Sequence, residues 1–168
     1  MMNVRNVLIG MIMSAVLAGV ASCGGGGGGS SPPAAAPTVI IRSASLDGTQ
    51  AGTGATGIGR GAVVVNPATM GITGGITFTG LTGNATAAHI HRANGNVAYG
   101  LQLAPDSVSG VNATGVLLNN ITLSAADYAE LLAGTLYFNV HSSNLLCPPP
   151  ATPTACTGGE IRGNIAVQ

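Results

Sequence analysis

From Thr38 onward the sequence predicts an all-β fold, an antiparallel β-sandwich or barrel with one short helix. Three observations carry this. Short runs rich in valine, isoleucine, threonine and glycine follow one another along the chain. Clusters of glycine, asparagine, aspartate and proline punctuate them. Only one window has helical period and helical end signals.

In order, "TVIIRSASL" (38–46), "IGRGAVVV" (58–65), "ITGGITFTGL" (72–81) and "ATAAHIH" (85–91) read as the first four strands. "VAYGLQL" (97–103), "ATGVLLN" (113–119), "TLYFNVH" (135–141) and "EIRGNIAV" (160–167) complete a set of eight. The helical window is "LSAADYAELLAG", with Ser124 as N-cap, Asp127 three residues on, and Gly134 as the stop. It is expected to plug one end of the β structure. "GTGATG" at Gly52–Gly57 matches a dinucleotide-binding fingerprint letter for letter. No helix follows it and its next acidic residue is Asp106, so it reads as a glycine-rich turn.

The first 37 residues have another purpose. Arg5 precedes an apolar run from Val7 to Val20, which is signal-peptide length and short for a membrane span. The run ends in "VASC", similar to the lipobox of bacterial lipoproteins, which implies cleavage before Cys23 and lipid attachment to it. The alternative is an ordinary secretory signal cut near Ala21 or Ser22. Gly24 to Gly29 and "SSPPAAAP" follow, a flexible stretch with a stiffer far end that cannot bury a core. Residues 1–22 thus read as a lipoprotein signal peptide, 23–37 as a lipidated disordered tether and 38–168 as one folded domain. The expected address is the cell envelope, with the membrane contacted through the N-terminal lipid. Gly24 stands where an aspartate would retain an enteric lipoprotein at the inner membrane, which favours the outer membrane, facing the periplasm or the cell surface.

Composition excludes several function classes. Only 6% of residues are charged, and the mature part sets four arginines against five carboxylates, so nothing resembles a basic surface for nucleic acid. Aromatic residues are 3% with no tryptophan, which leaves no stacking platform for bases or sugars. No serine sits in a recognisable nucleophile motif, and the chain has only the glutamates Glu130 and Glu160. The chain is therefore read as a non-enzyme. Cys147 and Cys156 flank the proline-rich "PPPATPTA" and are expected to form a disulfide in an oxidising compartment.

Side chains two apart on a strand share a face. His89 and His91 therefore point together, with Ala88 and Ile90 toward the core. In "LYFNVH", Leu136, Phe138 and Val140 are the expected core set, leaving Tyr137, Asn139 and His141 opposite. In "EIRGNIAV", Ile161, Ile165 and Val167 are the core set, leaving Glu160, Arg162 and Asn164 opposite. If these three strands are neighbours, their polar members form one cluster.

"GLTGNATAAHIHRANG", "LLAGTLYFNVHSS" and "GGEIRGNI", with the opening "SASLDGTQ", resemble the signature blocks of the CHRD domain, a module named after chordin. The resemblance runs from about Val39 to Val167. It implies an immunoglobulin-like β-barrel and an extracytoplasmic location, and very little chemistry. The proline-rich cysteine loop departs from the family pattern, in which the NVH and GEIRG blocks are joined by a shorter connection.

Three readings of the polar face remain. It is a structural hydrogen-bonded network, a site for an unknown protein or small ligand, or a metal centre of His89, His91 and His141 suited to zinc or copper. An HxH pair on such a strand is similar to copper–zinc superoxide dismutase. The further histidines and the aspartate ligand of that enzyme are missing, so its activity is not implied.

Overall fold

The computed structural model describes residues 38–104, 113–117, 121–143 and 159–167. The leader and tether, with Cys23, and the loop carrying Cys147 and Cys156 lie outside the described residues. The elements in chain order are β1 (Ile40–Asp47), α1 (Gly48–Ala51), β2 (Ile58–Asn66), β3 (Gly71–Thr79), β4 (Ala85–His91), β5 (Val97–Leu103), β6 (Ala113–Leu117), β7 (Ile121–Thr122), α2 (Ala125–Ala133), β8 (Tyr137–Ser142) and β9 (Ile161–Asn164).

Every strand pairing is antiparallel, and the strands follow the order β2-β1-β9-β8-β4-β5-β6-β3. β3 also pairs with β2 along its whole length, so these strands close into a barrel-like circuit. Closure leaves few free edges, which an antiparallel sheet otherwise has to protect. The seam between β1 and β9 is the thinnest, held by Asp47 opposite Arg162 and by a bridge between Ser43 and Ala166.

Alternation along the strands fills the interior. Val63 and Val65 of β2, Ile72, Ile76 and Phe78 of β3, Ala88 and Ile90 of β4, and Phe138 and Val140 of β8 form one buried cluster. Each fully buried large side chain contributes about 1.5–3 kcal/mol. Phe138 needs a gap in the opposing wall, and Gly61 supplies it: a Cβ there would stand 2.6 Å from the ring carbon Cε2. β8 is unusual in being buried along nearly all of its length, so its outward face is covered as well.

The helix forms where the sequence places it. The Ser124 hydroxyl caps it by accepting from the Asp127 N–H at 3.1 Å, and Gly134 ends it in a left-handed conformation. Leu131 turns into the core cluster together with Leu123 and Leu136.

Three details differ from expectation. β7 is a ninth, two-residue strand pairing with β3. α1 is a single turn that the sequence reading missed, capped by the Asp47 carboxylate accepting from the Gln50 N–H at 2.7 Å. Val167, assigned to the core by alternation, is 71% exposed. β9 ends at Asn164, and the pairing beyond it is a single bridge between Ser43 and Ala166, so no ladder enforces alternation at Val167.

Candidate metal centre

β4 lies between β5 and β8, and β8 lies between β4 and β9. The register sets Ala87 opposite His141, His89 opposite Asn139, and His91 opposite Tyr137. Across the next ladder Asn139 faces Arg162 and Tyr137 faces Asn164. The cluster expected from alternation therefore exists, because the sheet makes neighbours of segments that are some fifty and seventy residues apart in the chain. His91 and Asn139 are buried, His89, His141 and Arg162 are half-buried, and Asn164 is exposed at the margin.

The imidazoles meet edge to face. His89 and His91 have ring centroids 5.5 Å apart, and His89 and His141 5.1 Å apart. One ring nitrogen from each of the three lies within 4.8 Å of the other two. Each ring also keeps one buried nitrogen, His89 Nδ1, His91 Nε2 and His141 Nε2, with no hydrogen-bond partner among the described residues. A zinc ion bound to nitrogens at about 2.0–2.1 Å in tetrahedral geometry holds them about 3.3 Å apart.

The chemistry of the rings suits a cation that needs lone pairs. His91 Nδ1 lies 2.7 Å from the Gly95 carbonyl oxygen, which can only accept. Nδ1 therefore carries the proton, and in the neutral ring Nε2 is left with a free lone pair. Burial pushes the His141 pKa down to about 4, and charge on His89 or His91 pushes the same way. His89 is lowered by the same two causes, against a hydrogen bond with the Asn139 side chain that raises it. At neutral pH the protonated form of these two rings is disfavoured.

Aromatic packing holds the cluster from the side. The Tyr137 ring stacks on His91 at 5.1 Å and 14°, and the Arg162 guanidinium from the opposite neighbouring strand sits 3.6 Å from its centroid. Arg162 thus reaches His91 through Tyr137. Glu160 does not join the face. It is buried and accepts from the Thr82 N–H at 2.7 Å, the Thr82 hydroxyl at 3.0 Å and the Ser142 hydroxyl. It precedes β9, so strand alternation does not govern it, and Ser142 alternates with His141 toward the other side.

Sequence reasoning missed Gly95 and the contacts behind it. Gly95 stands at φ +87° in the β4–β5 connection, a conformation that favours glycine, and so aims its carbonyl back at His91. The signal available was "RANGN", an asparagine–glycine turn directly after the second histidine.

The model of a family described as "CHRD domain" matches residues 42–149. That stretch contains the HIH and NVH blocks and stops short of "GGEIRGNI". No curated protein and no solved structure matches the chain.

Proposed function

This chain belongs to the CHRD domain family, whose fold assigns no chemistry by itself, and from its donor set we propose that it is an extracytoplasmic binding module for zinc or copper. The ligands are His89, His91 and His141. The carrying observation is that one ring nitrogen from each of the three imidazoles lies within 4.8 Å of the other two. Imidazole nitrogen suits both metals, and three ligands leave a fourth position for water or a small ligand.

The module is a binder, not an enzyme. Among the described residues every carboxylate is engaged elsewhere: Asp47 with Gln50, Asp127 with Arg92, Glu130 with the Ala93 N–H, and Glu160 with Thr82 and Ser142. None of these four carboxylates is left to serve as a general base beside a metal-bound water. Of the polar residues around the cluster, Arg162 is half-buried and Asn164 exposed, so these two border the side that a protein or small ligand would meet, whereas Tyr137 and Asn139 are buried.

The test is metal analysis of tag-free protein equilibrated with zinc or copper. One ion per chain is expected, with affinity falling by more than about 100-fold in His141→Ala, beyond the loss typical of an outer-shell change. Absence of stoichiometric zinc and copper from folded wild-type protein overturns the reading.

The same proposal places the module on the outer membrane through lipid on Cys23, supported by "VASC" and the glycine tether behind it. Fatty-acid label should enter the wild-type protein and not Cys23→Ala. Label in that variant refutes the anchor.

A further inference from the structure

Helix α2 makes two contacts with the turn after His91. The Asp127 carboxylate accepts from Arg92 Nε at 2.6 Å and from Arg92 NH2 at 3.0 Å. It also accepts from the Tyr99 hydroxyl at 2.8 Å and the Ser124 hydroxyl at 2.7 Å. One turn further on, Glu130 Oε2 accepts from the Ala93 backbone N–H at 2.8 Å. The turn closes on itself through Gly95 N–H to the Arg92 carbonyl and Arg92 N–H to the Asn96 carbonyl, both at 2.9 Å. Its Gly95 carbonyl then holds His91 Nδ1.

We propose that Asp127 and Glu130 are positioning residues of the metal centre, acting through the Arg92–Gly95 turn to fix the tautomer and direction of His91. This rests on the metal reading above. Neither carboxylate has a bond to a histidine, and each acts at two removes. Asp127 anchors the side chain of the residue next to His91, and Glu130 anchors the backbone one residue beyond. Together they set where the Gly95 carbonyl stands. With that carbonyl in place, Nδ1 keeps the proton and Nε2 presents its lone pair beside His89 and His141. With the turn released, the ring can exchange tautomers and rotate, and one of the three ligands is no longer prepared. A carbonyl behind a ligating imidazole is a general device for raising its basicity and fixing its orientation. Here a helix on another part of the chain supplies the support for that carbonyl.

The experiment uses nitrogen-15 NMR of the histidine rings in metal-free protein, together with zinc titration of the same samples. In wild-type protein His91 should report a protonated Nδ1 and a bare Nε2. Glu130→Ala should move those resonances toward the averaged pattern of exchanging tautomers and weaken zinc binding about tenfold. Glu130→Gln, whose amide oxygen can still accept from the Ala93 N–H, should restore both. Val65→Ala loses core packing on β2, a strand that does not pair with β4, and should move neither. An unchanged His91 signal or unchanged zinc affinity in Glu130→Ala overturns the proposal, as does an equal response in Val65→Ala. If wild-type protein binds no zinc while the His91 signal still responds to Glu130→Ala, the clamp stands and the metal reading falls.

Discussion

Replacing Asp127 by asparagine should remove a specific, pH-dependent part of the stability. The carboxylate is 1% exposed and its pKa is lowered from 3.8 to about 2, first by the Arg92 hydrogen bonds, against a burial penalty. The Ser124 and Tyr99 hydroxyls add to the lowering. A shift of just under two units, at about 1.4 kcal/mol per unit, corresponds to roughly 2 kcal/mol. Arg92 is 32% exposed, so solvent screens part of the pair and the figure is nearer a ceiling than a mean. The folded-state pKa lies below the unfolded one. The contribution is therefore full above about pH 4 and is lost as pH falls toward 2. Urea denaturation of metal-free protein between pH 7 and pH 2 reads it directly. Wild type should exceed Asp127→Asn by up to roughly 2 kcal/mol near neutrality, with the gap closing across the acid window. Asp47, also lowered by its bonds to Gln50, titrates in both proteins and cancels. Two curves that run parallel down to pH 2 would refute the assignment of that stability to the ionised carboxylate.

Glu160→Gln replaces an acceptor-only group by one that must donate into a pocket where Thr82 and Ser142 already donate. It should cost about 1–3 kcal/mol in chemical denaturation and leave zinc affinity unchanged. Gly61→Ala drives a methyl group to 2.6 Å from the Phe138 ring, and overpacking of this kind should lower stability by about 1–3 kcal/mol. An alanine variant as stable as wild type would show that the ring has room to move. Cys147 and Cys156 should appear as a linked peptide pair in mass spectrometry of non-reduced mature protein. Their reduction should cost roughly 2–3 kcal/mol without unfolding the domain.

Much of this protein is legible one strand at a time. The runs "ATAAHIH" and "VAYGLQL" become β4 and β5 with the same boundaries. Ser124 and Gly134 bound α2 as expected. These succeed because period, capping and turn chemistry are properties of a few adjacent residues. The same two-residue period put His89 with His91, and Tyr137 with Asn139 and His141, on one face. It failed for Glu160 and Val167, which lie outside the β9 ladder, where no partner strand enforces alternation.

Which faces meet is a different kind of fact. Nothing in "HIH" says that β8 will lie beside it or that Ala87, not Ala85, will face His141. That register depends on closing a barrel whose strands are joined out of chain order. Asp127 shows the same divide. Its place in a capping sequence was plain, and its bond to Arg92, 35 residues earlier, was not. Local patterning decided which way each side chain points. Only the long-range strand pairing decided which side chains stand together in one cluster, because that proximity is created when distant segments bury their apolar faces in one core.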